Sequence, residues 1–287
     1  MNMQRISSPM IVMCLILAAC SSGPEAPAGQ QFFNDAKANL ATPDYESALR
    51  NLDKLSKAAG EQPVGQQGVL LRVAILTALA EGSKLMADAY GAGVREPAAG
   101  PKQGQFTRMR NDYHGIARVR LLKAMEEVMG QRNKLGDKSM PLEVPFPDFS
   151  GTERAEIQNI RSGHWVADTD RYRGELETVR NALARTLARL VGAGEDVHLG
   201  RSKFKEGGVQ IDPRVYLIEL SDVFLRLGEI FDRRALDDPR YRRISYEVVR
   251  DNMDVALKLL AAKPDKELET KAKKIKADCE KALKTMG

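Results

Sequence analysis

The side chains that could do chemistry are few and far apart. Histidines stand at 114, 164 and 198, with none paired at i and i+4 and none beside a cysteine. A metal ion needs ligands that converge, so this spacing argues for surface and loop histidines, and no metal or other cofactor is implied. The stretch Gly163-His164-Trp165-Val166-Ala167-Asp168-Thr169-Asp170 stands out, because it gathers the chain's single tryptophan, a histidine and two carboxylates into one interhelical turn. One reading has Trp165 plugging the core while Asp168 caps the next helix. The other sets His164, Trp165 and Asp170 on the wall of a binding cleft, with Trp165 or Tyr90 near the mouth. Cys279 falls on an apolar helical phase with no base nearby. There is no Gly-x-Ser-x-Gly, no phosphate loop and no carboxylate pair at a recognisable spacing, so catalysis is disfavoured.

The N-terminus carries a different chemistry. Residues 1–19 hold one charge, Arg5, followed by the apolar run from Met10 to Leu17, the small pair Ala18-Ala19 and then Cys20. That is the order of n-region, h-region and cleavage site in an export signal. The run is roughly half of the ~20 residues a helix needs to cross a bilayer, which argues against a permanent span. Leu17-Ala18-Ala19-Cys20 resembles the bacterial lipobox. The resemblance implies that Cys20 receives a diacylglycerol thioether, becomes the N-terminus after cleavage and is acylated on its amine. Cys14 fits less well, because Met13 before it is not small. Ser21-Ser22-Gly23-Pro24 looks like the tether such lipoproteins carry, over residues 20–29. Two or three acyl chains, at roughly 0.8 kcal/mol per buried methylene, give stable anchoring where one would not. Ser21, in place of an Asp, resembles the outer-membrane sorting pattern and implies a periplasm-facing protein.

Composition sets the class of the remainder. Residues 20–287 are enough chain for a sizeable hydrophobic core. With Cys20 lipidated and Cys14 in the export signal, Cys279 has no partner for an intramolecular disulfide, despite the oxidising compartment. The formal net charge of +5 drops by one without Arg5, an excess too small to point to nucleic acid. Aromatics make up only 6% of the chain, while Ala, Leu, Arg, Lys and Glu abound, which suits helices better than strands.

The elements that must position these residues read as helices in pairs. Residues 30–41 predict a first helix, and Thr42 as N-cap with Pro43 at the first helical position predicts a second, to about Ala59. Tyr45, Ala48, Leu49, Leu52 and Leu55 share one of its faces, and Gly60 ends it. Phe32, Ala36 and Leu40, then Asp44-Tyr45-Glu46-Ser47-Ala48-Leu49, Leu52 and Pro63, resemble a tetratricopeptide repeat of about 34 residues. One such unit cannot bury its own apolar faces, so neighbours are implied.

Residues 66–90 are apolar nearly all round, which predicts a buried central helix. A Gly, Pro and Ala loop follows from 91 to 104. A long helix is expected over 106–135, with Met109, Tyr113, Ile116, Leu122, Met125 and Met129 inward and Arg108, Arg110, Arg118 and Arg120 mostly wet. The three prolines within 136–150 forbid a helix and predict an extended segment pinned by Phe146 and Phe149. Ser150 and Glu153 fit a capping box for a short helix to about Ser162. A clearly amphipathic helix opens at Asp168, with Tyr172, Leu176, Val179, Leu183, Leu187 and Leu190 inward, and ends at Gly192. The alternations at 197–199 and 209–211 suggest a small hairpin. Asp212-Pro213 and Asp238-Pro239 start two further helices, to about Arg234 and Ala262. The last helix runs from Asp265, with Leu268, Ala272, Ile275, Cys279, Ala282 and Met286 on one side. The fold class is therefore all-α: helical hairpins in a repeat array or α-solenoid, about nine helices, and one small β-hairpin, in a single domain over 30–287.

Two basic groups remain: Arg233-Arg234 with Arg240, Arg242 and Arg243, and the lysines from Lys258 onward. Either would suit anionic lipid headgroups or an acidic partner, although intervening Asp and Glu weaken the field. The expected function is a lipid-anchored, periplasm-facing scaffold that binds another envelope protein, since repeat folds usually host binding. The lipobox, the first helical pair and the long helices also resemble the tetratricopeptide lipoprotein subunit of some tripartite solute transporters. That resemblance implies the alternative, a small-molecule carrier with a cavity among residues 69–79 and 215–231.

Overall fold

The computed structural model describes residues 28–60, 62–204, 208–232 and 239–286. Cys20, the export signal, most of the 20–29 segment and Arg233-Arg234 lie outside the described residues. Within them the chain is all-α with a small β insertion, ten helices and one two-stranded sheet. No helix among the described residues is long and apolar enough to cross a membrane.

The first hairpin joins α1 (Ala28–Ala41) to α2 (Tyr45–Ala59). Ala36 and Ala48 are fully buried where the two helices meet, and Tyr45 is 5% exposed at the turn, the close approach that the tetratricopeptide pattern implies. The cap differs from expectation. Asp44, not Thr42, is the N-cap, accepting the Ser47 N–H at 3.0 Å. The Thr42 hydroxyl turns back to donate to Asn39 O at 3.3 Å. A carboxylate one residue from the helix start satisfies an orphan N–H that the hydroxyl would otherwise have to reach.

The centre of the molecule is α3, Pro63–Gly93, which starts earlier and ends later than its apolar run suggests, with Pro63 in its first turn. It packs along α4 (Gln103–Arg132) and α6 (Asp168–Leu190), with α2 and α5 (Ala155–Arg161) at its ends. The segment before α4 is not all loop, because Pro97–Lys102 winds into 3-10 turns. The inward face of α4 keeps Tyr113 and Met125 of the expected set but not all of it. Ile116 and Met129 are 42% and 43% exposed, while Ala117, Leu121, Ala124 and Val128 are fully buried. Small residues face inward because a helix as thickly apolar as α3 fills the space itself. Of the arginines expected to be wet, Arg120 reaches Glu46 on α2 and Arg118 stacks 4.3 Å over the Tyr241 ring.

The proline-rich segment is extended as expected. Its strand β1 (Met140–Leu142) pairs antiparallel with β2 (Val209–Ile211), Pro141 opposite Gln210. The Glu143 N–H donates to the buried Gln67 on α3 at 2.9 Å, and Phe146 lies 5.0 Å from the Phe204 ring. Residues 197–199 are not the partner strand. They open α7 (Val197–Lys203), because Asp196 caps them by accepting the Leu199 N–H at 2.9 Å. This helix also raises the count from about nine to ten. The Ser150–Glu153 capping box does not form either. α5 begins after Arg154 without a side-chain cap, and Glu153 instead pairs with Arg161 at 2.8 Å. On α6, Leu183, Leu187 and Leu190 are buried but Tyr172 is 58% exposed.

Three helices close the domain: α8 (Pro213–Gly228), α9 (Pro239–Ala262) and α10 (Lys266–Thr285). Asp212 and Asp265 cap α8 and α10 as their positions before the apolar stripes predict. Asn252 donates to Ser221 Oγ at 3.1 Å in the α8–α9 interface, where both residues are fully buried. A network of arginines ties α3, α6 and α8 together. Glu81 accepts from Arg185 at 2.8 Å and Arg189 at 3.0 Å, and Glu195 accepts from Arg189 at 2.7 Å and Arg226 at 2.6 Å.

Cys279 is fully buried on α10 beside Ala272 and Ile275. Burial pushes its thiol up to about 12, with Asp278 adding to the shift. Since the thiolate is the reactive form, a thiol reagent at neutral pH is expected to label the folded protein slowly and the urea-unfolded chain fast. Equal rates would place the residue at the surface.

Candidate functional site

The turn at 163–170 owes its path to Gly163, whose φ of +79° is costly for any other residue; a Cβ there would also sit 2.8 Å from Glu96 Cβ and 2.9 Å from Ala99 N. The reversal swings Trp165 under the 3-10 segment. Its ring lies 5.6 Å from Phe106 and 6.5 Å from Tyr90, and the Lys102 ammonium sits 5.2 Å over its face. Tyr90 in turn stacks on Tyr113 at 5.8 Å and meets Phe106 edge-on at 5.4 Å. These rings belong to a second, smaller core with Met86, Ile157, Ile160 and Val166.

Of the four expected cleft residues, then, the fold brings two together. Tyr90 and Trp165 share one aromatic cluster, but Tyr90 is only 1% exposed and stands at no mouth. His164 is exposed, held by its own N–H to Asn159 O at 2.9 Å. The Asp170 carboxylate takes the Arg173 guanidinium at 3.2 Å. Asp168 pairs with Arg171 at 2.7 Å, and the N-cap position before it, Ala167, has no side chain to give. Trp165 is partly buried and packs against this smaller core without being sealed inside it. Trp165 and Tyr90 find their partners on α4, at Phe106 and Tyr113, seven residues apart on one face, a spacing visible in the sequence but not specific to any partner.

A polar group missed from the sequence borders this cluster. The Tyr113 hydroxyl donates to Glu175 Oε2 at 3.0 Å. Burial raises the Glu175 carboxyl above its ordinary range, and the Tyr113 hydrogen bond and the Arg171 charge offset that only in part. Both phenols are also pushed up by burial, so they stay protonated at neutral pH and act as hydrogen-bond donors rather than nucleophiles. A carboxyl whose folded pKa lies above its unfolded value contributes stability at low pH and loses it as pH rises through the folded value. Glu175→Gln, which keeps an acceptor for Tyr113, is therefore expected to be more stable than the parent at neutral pH and to gain less on acidification. Urea unfolding across that range would show it; a variant no more stable than the parent at neutral pH would refute the assignment.

No trio of His, Cys, Asp or Glu side chains comes together as a ligand set among the described residues. His114 departs from the expected surface or loop position, being buried on α4; His164 is exposed in the turn, and His198 lies on α7, 6.0 Å from the Phe149 ring. The apolar surplus of α3 and α8 is buried, with Leu71, Ile75, Tyr216 and Phe224 fully buried in one core. Two clefts open at the surface. One of about 810 Å³ opens between the end of α4 and the 134–141 segment, floored by Leu135 and Met140. A second, of about 500 Å³, lies where the end of α3 meets Arg110 and Arg161. Comparison with protein-family models, curated proteins and solved structures gives no match for this chain.

Proposed function

We propose that the chain is an exported lipoprotein, lipid-anchored at Cys20 to the outer membrane and facing the periplasm. Its helical domain, with hairpins compatible with an α-solenoid, serves as a scaffold for another envelope protein rather than as an enzyme. The observation that carries the anchor is the order of Arg5, the apolar run, Ala18-Ala19 and Cys20. The scaffold reading is supported by the burial of the apolar surplus of α3 and α8 in one core, where a carrier would need a cavity. Ile116 and Val119, one turn apart and 42% and 51% exposed on α4, are apolar side chains that a partner would cover.

Cys20→Ser is expected to accumulate as uncleaved precursor that incorporates no labelled palmitate. Normal processing and labelling of that variant would end the lipoprotein reading. A photo-crosslinking side chain at position 119 in intact cells is expected to capture one reproducible envelope protein, and no capture there would count against the scaffold. A second reading, a solute-binding subunit associated with a transporter, is favoured only by the cleft of about 810 Å³, within the range of small-molecule sites. A small-molecule adduct retained in native mass spectrometry and lost on denaturation would favour it.

A further inference from the structure

Many of the described basic side chains are matched by carboxylates. Arg242 pairs with Asp232, Arg243 with Glu247 at 3.0 Å, Lys271 with Glu219 at 2.7 Å and Lys276 with Asp254 at 2.7 Å. The basic groups that the sequence makes conspicuous are thus neutralised in part where they are described. The cleft of about 500 Å³ at the end of α3 is different, for Arg95, Arg110 and Arg161 all line it. Its one acidic residue, Asp88, is met by Lys84 at 2.8 Å.

The Arg95 side chain is exposed and makes no ion pair or hydrogen bond among the described residues. Arg110 donates only to the neutral Asn111 Oδ1, at 3.2 and 3.1 Å, and its stem lies against Gly91, where an added Cβ would meet Arg110 Cδ at 3.4 Å. Arg161 pairs with Glu153 through Nε alone, at 2.8 Å, leaving its two terminal nitrogens for another acceptor. The carbonyl end of α3, which would repel an anion, is partly answered by Gln103, whose Nε2 donates to Val94 O at 2.9 Å.

Guanidinium groups are planar forks that match phosphate oxygens two at a time. Several of one sign in one concavity raise the local potential, which a bound anion relieves. We infer that this cleft binds a phosphate-type anion on Arg95, Arg110 and Arg161, carried either by a phospholipid headgroup or by a free phosphorylated solute. The inference does not depend on the scaffold reading.

The test follows thermal unfolding of the full chain in a neutral detergent, in two arms. One compares sodium phosphate with sodium chloride at equal ionic strength; the other compares dihexanoyl phosphatidylglycerol with dihexanoyl phosphatidylcholine. A ligand at about tenfold its Kd is expected to raise Tm by about 3–6 °C. A rise with phosphate alone identifies a free phosphorylated solute, and a rise with phosphatidylglycerol, with or without one from phosphate, identifies a headgroup. In either case Arg95→Gln with Arg110→Gln abolishes it, and Arg110→Lys, which keeps the charge but not the fork, retains only part. Should the double variant fail to fold, Arg95→Gln alone, at an exposed and unpaired side chain, carries the same comparison. No rise in either arm, or an equal rise in the substituted protein, overturns the site.

Discussion

Gly93→Ala is expected to cost about 3 kcal/mol and to lower Tm by about 6–12 °C, an overpacking penalty at the upper end of its usual range. Gly93 is the last residue of α3, where the helix passes against α5 and the Phe106 ring. An added Cβ would fall 2.2 Å from Ile160 O and 2.7 and 2.9 Å from two Phe106 ring carbons. A ring at the end of a side chain can swing aside, but here Trp165 and Tyr90 hold Phe106 on two sides. The Ile160 carbonyl belongs to backbone and cannot. Gly104 and Gly115 on α4 provide the contrast, since nothing lies within 4 Å of an added Cβ at either. Alanine there is expected to stabilise by about 0.5–1 kcal/mol, through helix propensity alone. Circular dichroism melts of the three variants would separate the effects, and a Gly93→Ala shift as small as those at 104 and 115 would contradict the close approach.

Arg189→Met is expected to lose about 3 kcal/mol, near the lower end for breaking a buried ion pair from one side. Arg189 is 4% exposed and joins Glu81 on α3 to Glu195 before α7. Methionine replaces the stem but leaves Glu81, whose side chain is 14% exposed, with Arg185 alone. The substitution should also show in acid. Hydrogen bonds from Arg189 and then Arg226 hold the Glu195 carboxyl down to about 2. Because that folded value lies below the unfolded one, the contribution is present above the unfolded pKa, roughly 4.3, and lost as pH falls through the folded value. The parent should therefore destabilise between about pH 4 and 2 more steeply than the variant. Urea midpoints across that window would read it, and parallel curves would remove Arg189 as the main cause.

What could be read from the residues was local. The buried stripe of α2, the Asp212 and Asp265 caps and the apolar face carrying Cys279 depend on neighbours within one or two turns, and the fold keeps them. Errors arose where a distant element decided. Residues 197–199 alternate like a strand, yet an Asp one position earlier supplies a helix cap at once, while strand pairing needs a partner that no nearby residue specifies. On α4 the expected Tyr113 and Met125 are buried, but the close approach of α3 leaves room for Ala117 and Ala124 and not for Ile116 and Met129. At the candidate site, the type of Trp165 points to burial, which the fold gives it in part, but nothing near it foretells Phe106, Tyr113 or Glu175. Sequence proximity alone groups His164 and Asp170 with it; in the fold His164 is exposed and Asp170 pairs with Arg173.

The pairing of Met140–Leu142 with Val209–Ile211 encloses the whole of α5, α6 and α7 between its two strands. Closing a loop of that size in a loose chain costs about 4 kcal/mol in configurational entropy. Ladder hydrogen bonds contribute about 1 kcal/mol each, and a three-residue ladder has few of them. The strands cannot therefore find one another first. Their ends must be delivered by helices already docked on α3, which makes this small sheet a late event in folding, closed only once the three intervening helices have taken their places.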